Sequence, residues 1–154
     1  GEGELGSTLP FLISDRTPRE RRVQPTGRLA DSPIRGVGTV ILGVPDIEAA
    51  IEEFEMAFDM SDPHRGEDQT LSATVASYPN QPVALAEPRE EGWLADRLAS
   101  FGPRPVAYLL ASDNRSPSEF DDGSADSFME RSMEWLPVTE PVGRRYIGVV
   151  PSAE

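Results

Sequence analysis

The sequence predicts an α+β fold, and three observations support that class. An almost continuous run of β-branched and apolar residues at 37–44 leads directly into an amphipathic helical pattern. Strand-like segments follow that helix, and the second half of the chain repeats the same order less regularly. With 154 residues, the chain has the length of one domain with a substantial core.

The first strand and the first helix carry the clearest local signals. The run at 37–44 suits a strand that is covered on one face and partly on the other. Asp46 predicts a helix N-cap, and Glu48 adds negative charge where the helix dipole favours it. The predicted helix spans 47–59, with one buried stripe whose residues recur at spacings of four, three and four: Ile47, Ile51, Phe54 and Phe58.

The junction between this strand and this helix resembles a known family. The strand ends in Val44-Pro45-Asp46, and an Ile-Glu-Ala-Ala-Ile helix that carries phenylalanine follows it. In these residues the chain resembles the first strand and helix of a glyoxalase-like, vicinal-oxygen-chelate module, of the glyoxalase/bleomycin resistance/dioxygenase superfamily. The resemblance covers residues 34–150. It implies paired βαβββ units that form a curved, mostly antiparallel sheet around a cup, with helices 47–59 and 91–101 outside.

The segments after the first helix fit the rest of the first unit. Ser61-Asp62-Pro63 ends the helix, and the polar residues 64–70 predict a loop. Residues 71–78 alternate between two faces and predict a half-buried strand. A turn at 78–82 leads to a predicted hairpin partner at 83–87.

The second unit is predicted to be less regular. A short helix at 91–101, a strand at 104–112 and a closing hairpin of strands at 133–138 and 145–150 follow the plan. The segment 113–127 is acidic and polar where the unit should place its amphipathic helix. Only Phe120 and Phe128 offer anchors, so a reduced helix or a loop is expected there.

The first 33 residues form a separate region in this interpretation, and the predicted domain is 34–154. Residues 9–14 suit a strand, and 15–33 contain proline, glycine and arginine without a helical or strand period, which predicts a linker. The strand either belongs with another module or folds back onto the chain's own sheet. In the first case the chain is the C-terminal module of a larger two-module protein, or the partner of another chain.

Composition disfavours several classes of partner. The net charge is −13, from 14 basic and 27 acidic residues, and every basic residue is arginine. A field of this sign repels nucleic acids and anionic membranes. The acidity reflects either surface adaptation, to a halophile's salty cytoplasm or a GC-rich genome, or attraction of a cationic ligand. No apolar run reaches about 18 residues, so we expect a cytoplasmic protein.

The resemblance also specifies where metal ligands would lie. Metal-dependent members of the superfamily place histidine near the start of strands one and five, and glutamate in strands four and eight. Here these positions hold Thr39, Ala84, Pro105 and Gly148, at spacings of 45 and 43 residues, as two copies of one unit should show. None of the four supplies an imidazole or a carboxylate, so we predict no metal and no cofactor.

Other polar residues carry weaker predictions. His64, the single histidine, is predicted to be a solvated loop residue, with a general base as its functional alternative. Arg104, Arg144 and Arg145 lie near predicted strand starts and suit either an anionic ligand or surface ion pairs.

Two classes of function follow from the resemblance. The first is a metal-free glyoxalase-like domain that binds a small organic ligand, as antibiotic-binding relatives sequester cationic drugs, or that acts as the structural half of a larger glyoxalase-like protein. The alternative is a lyase, isomerase or dioxygenase whose metal ligands come from a partner chain or module. The expected macromolecular partner is a second copy, in a homodimer, or a second module. The candidate cup-lining residues are Thr39, Tyr78, Tyr108, Trp135 and Tyr146.

Overall fold

The computed structural model describes residues 8–9, 16–18, 32–113, 125–128, 131–135 and 146–151. The first half contains β1 (Ile34–Gly43), α1 (Ile47–Phe58), β2 (His64–Asp68), β3 (Ala73–Ser77) and β4 (Val83–Pro88). The second half contains α2 (Trp93–Phe101), β5 (Arg104–Ser112), β6 (Ala125–Phe128), β7 (Arg131–Trp135) and β8 (Tyr146–Pro151). No helix among these residues is long and apolar enough to span a membrane.

The strands form one sheet in the order β2-β3-β4-β1-β5-β8-β7-β6. β1 is parallel to β4 and β5 is parallel to β8, whereas the other pairings are antiparallel. β1 and β5 join the two halves, and each half runs outward from its first strand through its fourth, third and second. The predicted α+β fold with paired units is therefore confirmed.

Helix α1 forms where its local signals predict it. The Asp46 carboxylate accepts a hydrogen bond of 3.0 Å from the Ala49 backbone N–H and caps the first turn. At the other end Asp59 adopts the left-handed conformation, with φ 56°, and donates its backbone N–H to the Glu55 carbonyl at 2.9 Å. The helix thus ends one residue before the predicted boundary.

Two hydrophobic cores lie on opposite faces of the sheet, because successive strand residues point to opposite sides. The first, called here the α1 core, comprises Leu42, Val44, Ile47, Ala50, Ile51, Phe54, Ala76, Tyr78 and Leu85. The second, called here the α2 core, comprises Ile41, Leu71, Ala73, Val75, Ala84, Ala86, Leu94, Leu98, Val106, Ala107, Leu109, Phe128 and Val150. Strand β3 is therefore buried on both faces rather than half-buried, since α1 covers the second face.

The two helices do not share a face. Gly43 lies between Leu42 and Val44, which both belong to the α1 core, so a Cβ at Gly43 would point to the other side. There it would meet Leu94 and Leu98 of α2, each at 3.1 Å. The expectation that both helices lie outside a cup is therefore wrong, because the leucines of α2 pack on the face opposite α1.

Strand β2 corrects the predicted loop at 64–70. It pairs antiparallel with β3, from His64↔Ser77 to Asp68↔Ala73. Its residues are mostly polar because it is an edge strand, where charged side chains reach solvent and backbone pairing with β3 supplies the order. Asp68, which is buried, then accepts a hydrogen bond of 2.8 Å from the Leu71 backbone N–H and shapes the turn into β3.

The second unit also departs from its prediction in part. Residues 125–127 begin β6, so the predicted reduced helix or loop is wrong for them. Pairing with β7 holds these polar residues in a strand that hydrophobic periodicity does not reveal. Phe128 is buried, whereas Phe120 and the rest of 114–124 lie outside the described residues. The predicted closing hairpin corresponds to β7 and β8, which pair antiparallel.

Near the N-terminus, Leu9 packs against the α1 core. Residues 10–14, the rest of the predicted strand, lie outside the described residues, as does the predicted linker except for 16–18 and 32–33. The division into 1–33 and 34–154 stays a prediction.

Candidate functional site

The four positions that the resemblance assigns to metal ligands can be located in the sheet. Thr39 is the register partner of Leu109, and Leu109 is in turn the partner of Gly148, so the three lie in one row across β1, β5 and β8. Ala84 is the partner of Ile41, two residues along β1 from Thr39. Three of the positions therefore lie near the centre of the sheet. Pro105 is exposed and pairs with Leu42 at a register shift.

The residues at this centre do not fit a metal ion. Ala84 is completely buried, Gly148 has no side chain, and the Thr39 side chain is 8% exposed and supplies one hydroxyl. A divalent ion requires three or more nitrogen, oxygen or sulfur ligands with suitable geometry. Across the described ranges, no three His, Cys, Asp or Glu residues are grouped to hold one. The apolar neighbours Ile41 and Leu109 make the centre a packed core.

The five candidate cup-lining residues do not come together on one face. Thr39 lies at the central row, and Tyr78 lies in the α1 core, where its ring stacks on Phe54 with centroids 6.0 Å apart. Tyr108 is exposed and pairs with Val40, on the face opposite Leu109. By backbone register, Trp135 is the partner of Gly148 and Tyr146 is the partner of Ala107. Their contact with a ligand stays a prediction.

His64 is the first residue of the edge strand β2 and is exposed. Its register partner is Ser77, which pairs in turn with Ala84 of β4. The predicted loop is wrong for this residue, whereas its predicted exposure to solvent is confirmed.

Burial and ion pairs shift several pKa values near the sheet. Loss of solvation raises the pKa of Tyr78, whose hydroxyl oxygen is buried and has no hydrogen-bond partner in the described ranges. The Arg65 guanidinium donates to both carboxylate oxygens of Glu48, one bond measuring 2.9 Å, and this lowers the pKa of Glu48. Asp113 accepts from Arg35, which lowers the pKa of Asp113.

Two clefts open away from the central row, at the turn between β2 and β3. The first has a volume of about 210 Å³ between this turn and the connection from β4 to α2; its lining residues are Thr70, Leu71, Ser72, Pro88, Glu90, Glu91, Gly92, Trp93 and Leu94. The second has a volume of about 380 Å³ and is lined by Gln69, Ser72, Arg89 and Glu90. Both combine carboxylates with polar turn residues. Sequence reasoning missed these clefts, because it read 64–70 as a loop and Trp93 as helix packing.

A row of aromatic and arginine side chains runs along α2. The Arg97 Cζ atom lies 5.7 Å from the ring centroid of Trp93 and 5.8 Å from that of Phe101. The Arg104 Cζ atom lies 4.6 Å from the Phe101 centroid. Trp93, Arg97 and Phe101 are spaced four residues apart, so they share one side of the helix. In the sequence, this row is visible only as that four-residue spacing. The same spacing is typical of the buried stripe of a helix.

Comparison with known proteins gives structural matches only. No family sequence model matches the chain, and no curated protein matches it in sequence. Methylmalonyl-CoA epimerase from Mycobacterium tuberculosis superposes with a TM-score of 0.59 at 19% identity, over 82% of this chain and 93% of that one. A Streptomyces coelicolor methylmalonyl-CoA epimerase variant in complex with 2-nitronate-propionyl-CoA gives 0.57 at 16% identity, over 79% and 99%. A hypothetical protein from Bacillus halodurans gives 0.58 at 11% identity, over 77% and 94%.

Methylmalonyl-CoA epimerases belong to the glyoxalase/bleomycin resistance/dioxygenase superfamily. The superpositions cover nearly the whole of each neighbour, and in this chain two four-stranded halves pair through β1 and β5. At identities below 20%, the likeness concerns the fold rather than the chemistry. The chain therefore has the glyoxalase-like, vicinal-oxygen-chelate fold.

Proposed function

We propose that this chain is a metal-independent module with the vicinal-oxygen-chelate fold that binds a small organic ligand. One observation carries the proposal. Thr39, Ala84 and Gly148, three of the positions that hold metal ligands in metal-dependent members, lie together at the centre of the sheet. Between them they offer a single hydroxyl.

The surroundings of these positions favour packing over metal chemistry. Ile41, Val75 and Leu109 fill the same face and are almost completely buried. Each such side chain contributes roughly 1.5–3 kcal/mol by leaving water. A carboxylate placed among them without partners would carry a large desolvation cost. The centre of the sheet thus serves as packed core. A ligand would therefore bind elsewhere on the molecule.

The cleft between the β2–β3 turn and α2 provides such a binding site. Its lining includes Thr70, Trp93 and Glu91, whose side chains carry a hydroxyl, an indole ring and a carboxylate. Ligand pockets commonly pair an aromatic surface with a few polar groups that orient the ligand. With a volume of about 210 Å³, the cleft suits a small molecule or one part of a larger one.

A second candidate role, as the structural half of a larger assembly, is favoured by one exposed apolar patch. Val37 is 52% exposed and Tyr108 is 41% exposed. Val37 pairs with Leu110 and Tyr108 pairs with Val40, so both lie on the face of the sheet opposite Leu109. Adjacent exposed apolar side chains on a central strand pair favour contact with another module or a second copy.

Elemental analysis of the purified chain tests metal independence. We expect no stoichiometric iron, manganese, nickel or zinc, and no change in melting temperature after treatment with EDTA. Stoichiometric metal that EDTA removes, with a loss of melting temperature, would contradict the proposal and would favour an enzyme whose ligands come from a second copy. Light scattering on the same sample reports whether a second copy is present.

A thermal-shift screen of small organic molecules then tests ligand binding. A ligand of the cleft should raise the melting temperature. Glu91→Gln should weaken its binding, whereas Glu52→Gln, which removes the same charge from the exposed face of α1, should leave binding unchanged. Equal effects of the two variants would contradict the assignment to the cleft.

A further inference from the structure

The arginines of the row along α2 differ from the other arginines that have side-chain contacts in the described part of the chain. Arg35, Arg65 and Arg89 each form an ion pair with a carboxylate. Within the described residues Arg97 and Arg104 form no such pair, and the side chains that they contact are aromatic rings. In a chain with 27 acidic residues and a net charge of −13, two arginines without a carboxylate are unexpected.

The geometry leaves hydrogen-bonding capacity unused. A guanidinium over a ring contacts the π-electrons, and its N–H donors remain available for a carboxylate or phosphate in its plane. The Arg97 Nε atom is buried and has no hydrogen-bond partner among the described residues. Because both guanidiniums lie within 6 Å of the Phe101 centroid, they are no more than about 10 Å apart. At such a separation, two flexible arginine side chains can turn toward one ligand.

The aromatic member of the row is also open to solvent. Phe101 is 58% exposed, although phenylalanine is among the residue types that are most often buried. An exposed ring flanked by two cations offers a flat apolar surface beside anion-binding forks. Gly102, with φ 69°, ends the helix directly after Phe101 and allows the chain to bring Arg104 back to the ring.

We propose that Arg97, Phe101 and Arg104 form a binding site for a small organic anion, whose phosphate or carboxylate group is held by the guanidiniums and whose planar group rests on Phe101. The site is separate from the central row and does not depend on the proposed function. It takes anions, despite the net negative charge, because no carboxylate of the described residues pairs with its two cations.

The test is calorimetric titration in buffer of low ionic strength with three probes: inorganic phosphate, phenyl phosphate and benzoate. Phenyl phosphate should bind more tightly than inorganic phosphate, because the ring adds contact with Phe101. A preference for phenyl phosphate over benzoate would assign the site to phosphate esters, and the reverse would assign it to carboxylates. Absence of binding by all three probes would overturn the proposal.

Variants distinguish a binding site from a merely structural role of Arg97, Phe101 and Arg104. Arg97→Gln and Arg104→Gln should each weaken the best probe about tenfold or more, since each removes a charge-assisted hydrogen bond. Phe101→Leu should abolish the preference of phenyl phosphate over inorganic phosphate while phosphate still binds. Arg35→Gln, an equal loss of charge at an exposed ion pair, is the control and should bind like the unmodified chain.

If the row only stabilises α2, the variants lower the melting temperature but bind the probes with unchanged affinity, which would overturn the proposal. Failure here leaves the metal analysis and the Glu91→Gln comparison untouched. Different measurements therefore test the two proposals.

Discussion

Gly43 shows how one missing side chain allows α2 to pack on the sheet. A Cβ at this position would lie 2.9 Å from the Val106 Cγ1 atom and 3.1 Å from the ends of Leu94 and Leu98. The first distance is shorter than carbon atoms tolerate and the other two are tight, so Gly43→Ala requires the ends of these side chains to shift. We expect a loss of about 1–3 kcal/mol in the free energy of unfolding, measured by urea denaturation.

The nearest atom provides the control for this prediction. Val106→Ala removes Cγ1, so Gly43→Ala should cost less in that background than in the unmodified chain. An equal cost in both backgrounds would show that steric crowding against Val106 is not the cause.

Tyr78 carries a hydroxyl that forms no hydrogen bond within the part of the chain that the structure describes. Tyr78→Phe should therefore change the free energy of unfolding by less than about 0.5 kcal/mol, or raise it slightly. Burial raises the pKa of Tyr78, so above about pH 10 the unfolded chain loses this proton more readily than the folded chain. Stability should fall as the pH rises from there, and less steeply for Tyr78→Phe. Parallel pH profiles from urea denaturation would contradict this.

Among the elements, helix α1 carries a side-chain cap at its first turn. Asp46→Ala removes the acceptor of the Ala49 N–H and should cost about 1 kcal/mol. Asp46→Ser retains an oxygen acceptor and should recover most of that loss. Thermal unfolding followed by circular dichroism measures both variants, and an equal loss for the two would contradict the role of the cap.

Elements with local signals were predictable, and those held by neighbours were not. The cap at Asp46 and the alternation at 71–78 place α1 and β3 correctly, because the information lies within each segment. β2, with the sequence HRGED, lacks any hydrophobic alternation and is a strand because β3 provides its backbone partners. β6 follows the same rule through its pairing with β7.

At the scale of the whole molecule, the repeat predicted which positions meet in the sheet better than which face each side chain takes. The spacings of 45 and 43 residues in the two units agree with Thr39, Ala84 and Gly148 lying near one another at the centre of the sheet. The face of the sheet on which Tyr78 and Tyr108 lie was not predictable, because it depends on which face each helix covers. Alternation assigns residues to two faces, but only tertiary packing distinguishes the two.

Net charge affects the molecule as a whole, and salt tests its effect. The net charge is −13, so the acidic side chains of the compact folded chain repel one another. In the expanded unfolded chain these charges are farther apart and the repulsion is weaker. Raising sodium chloride from about 0.05 to about 1 M shortens the screening length from above 10 Å to about 3 Å. The melting temperature should therefore rise, by roughly 2–4 °C for each kcal/mol recovered. Choline chloride, a bulky monovalent salt, should give the same rise if screening is the cause. A rise with sodium alone would indicate specific cation binding, and no rise with either salt would show that the acidity does not limit stability.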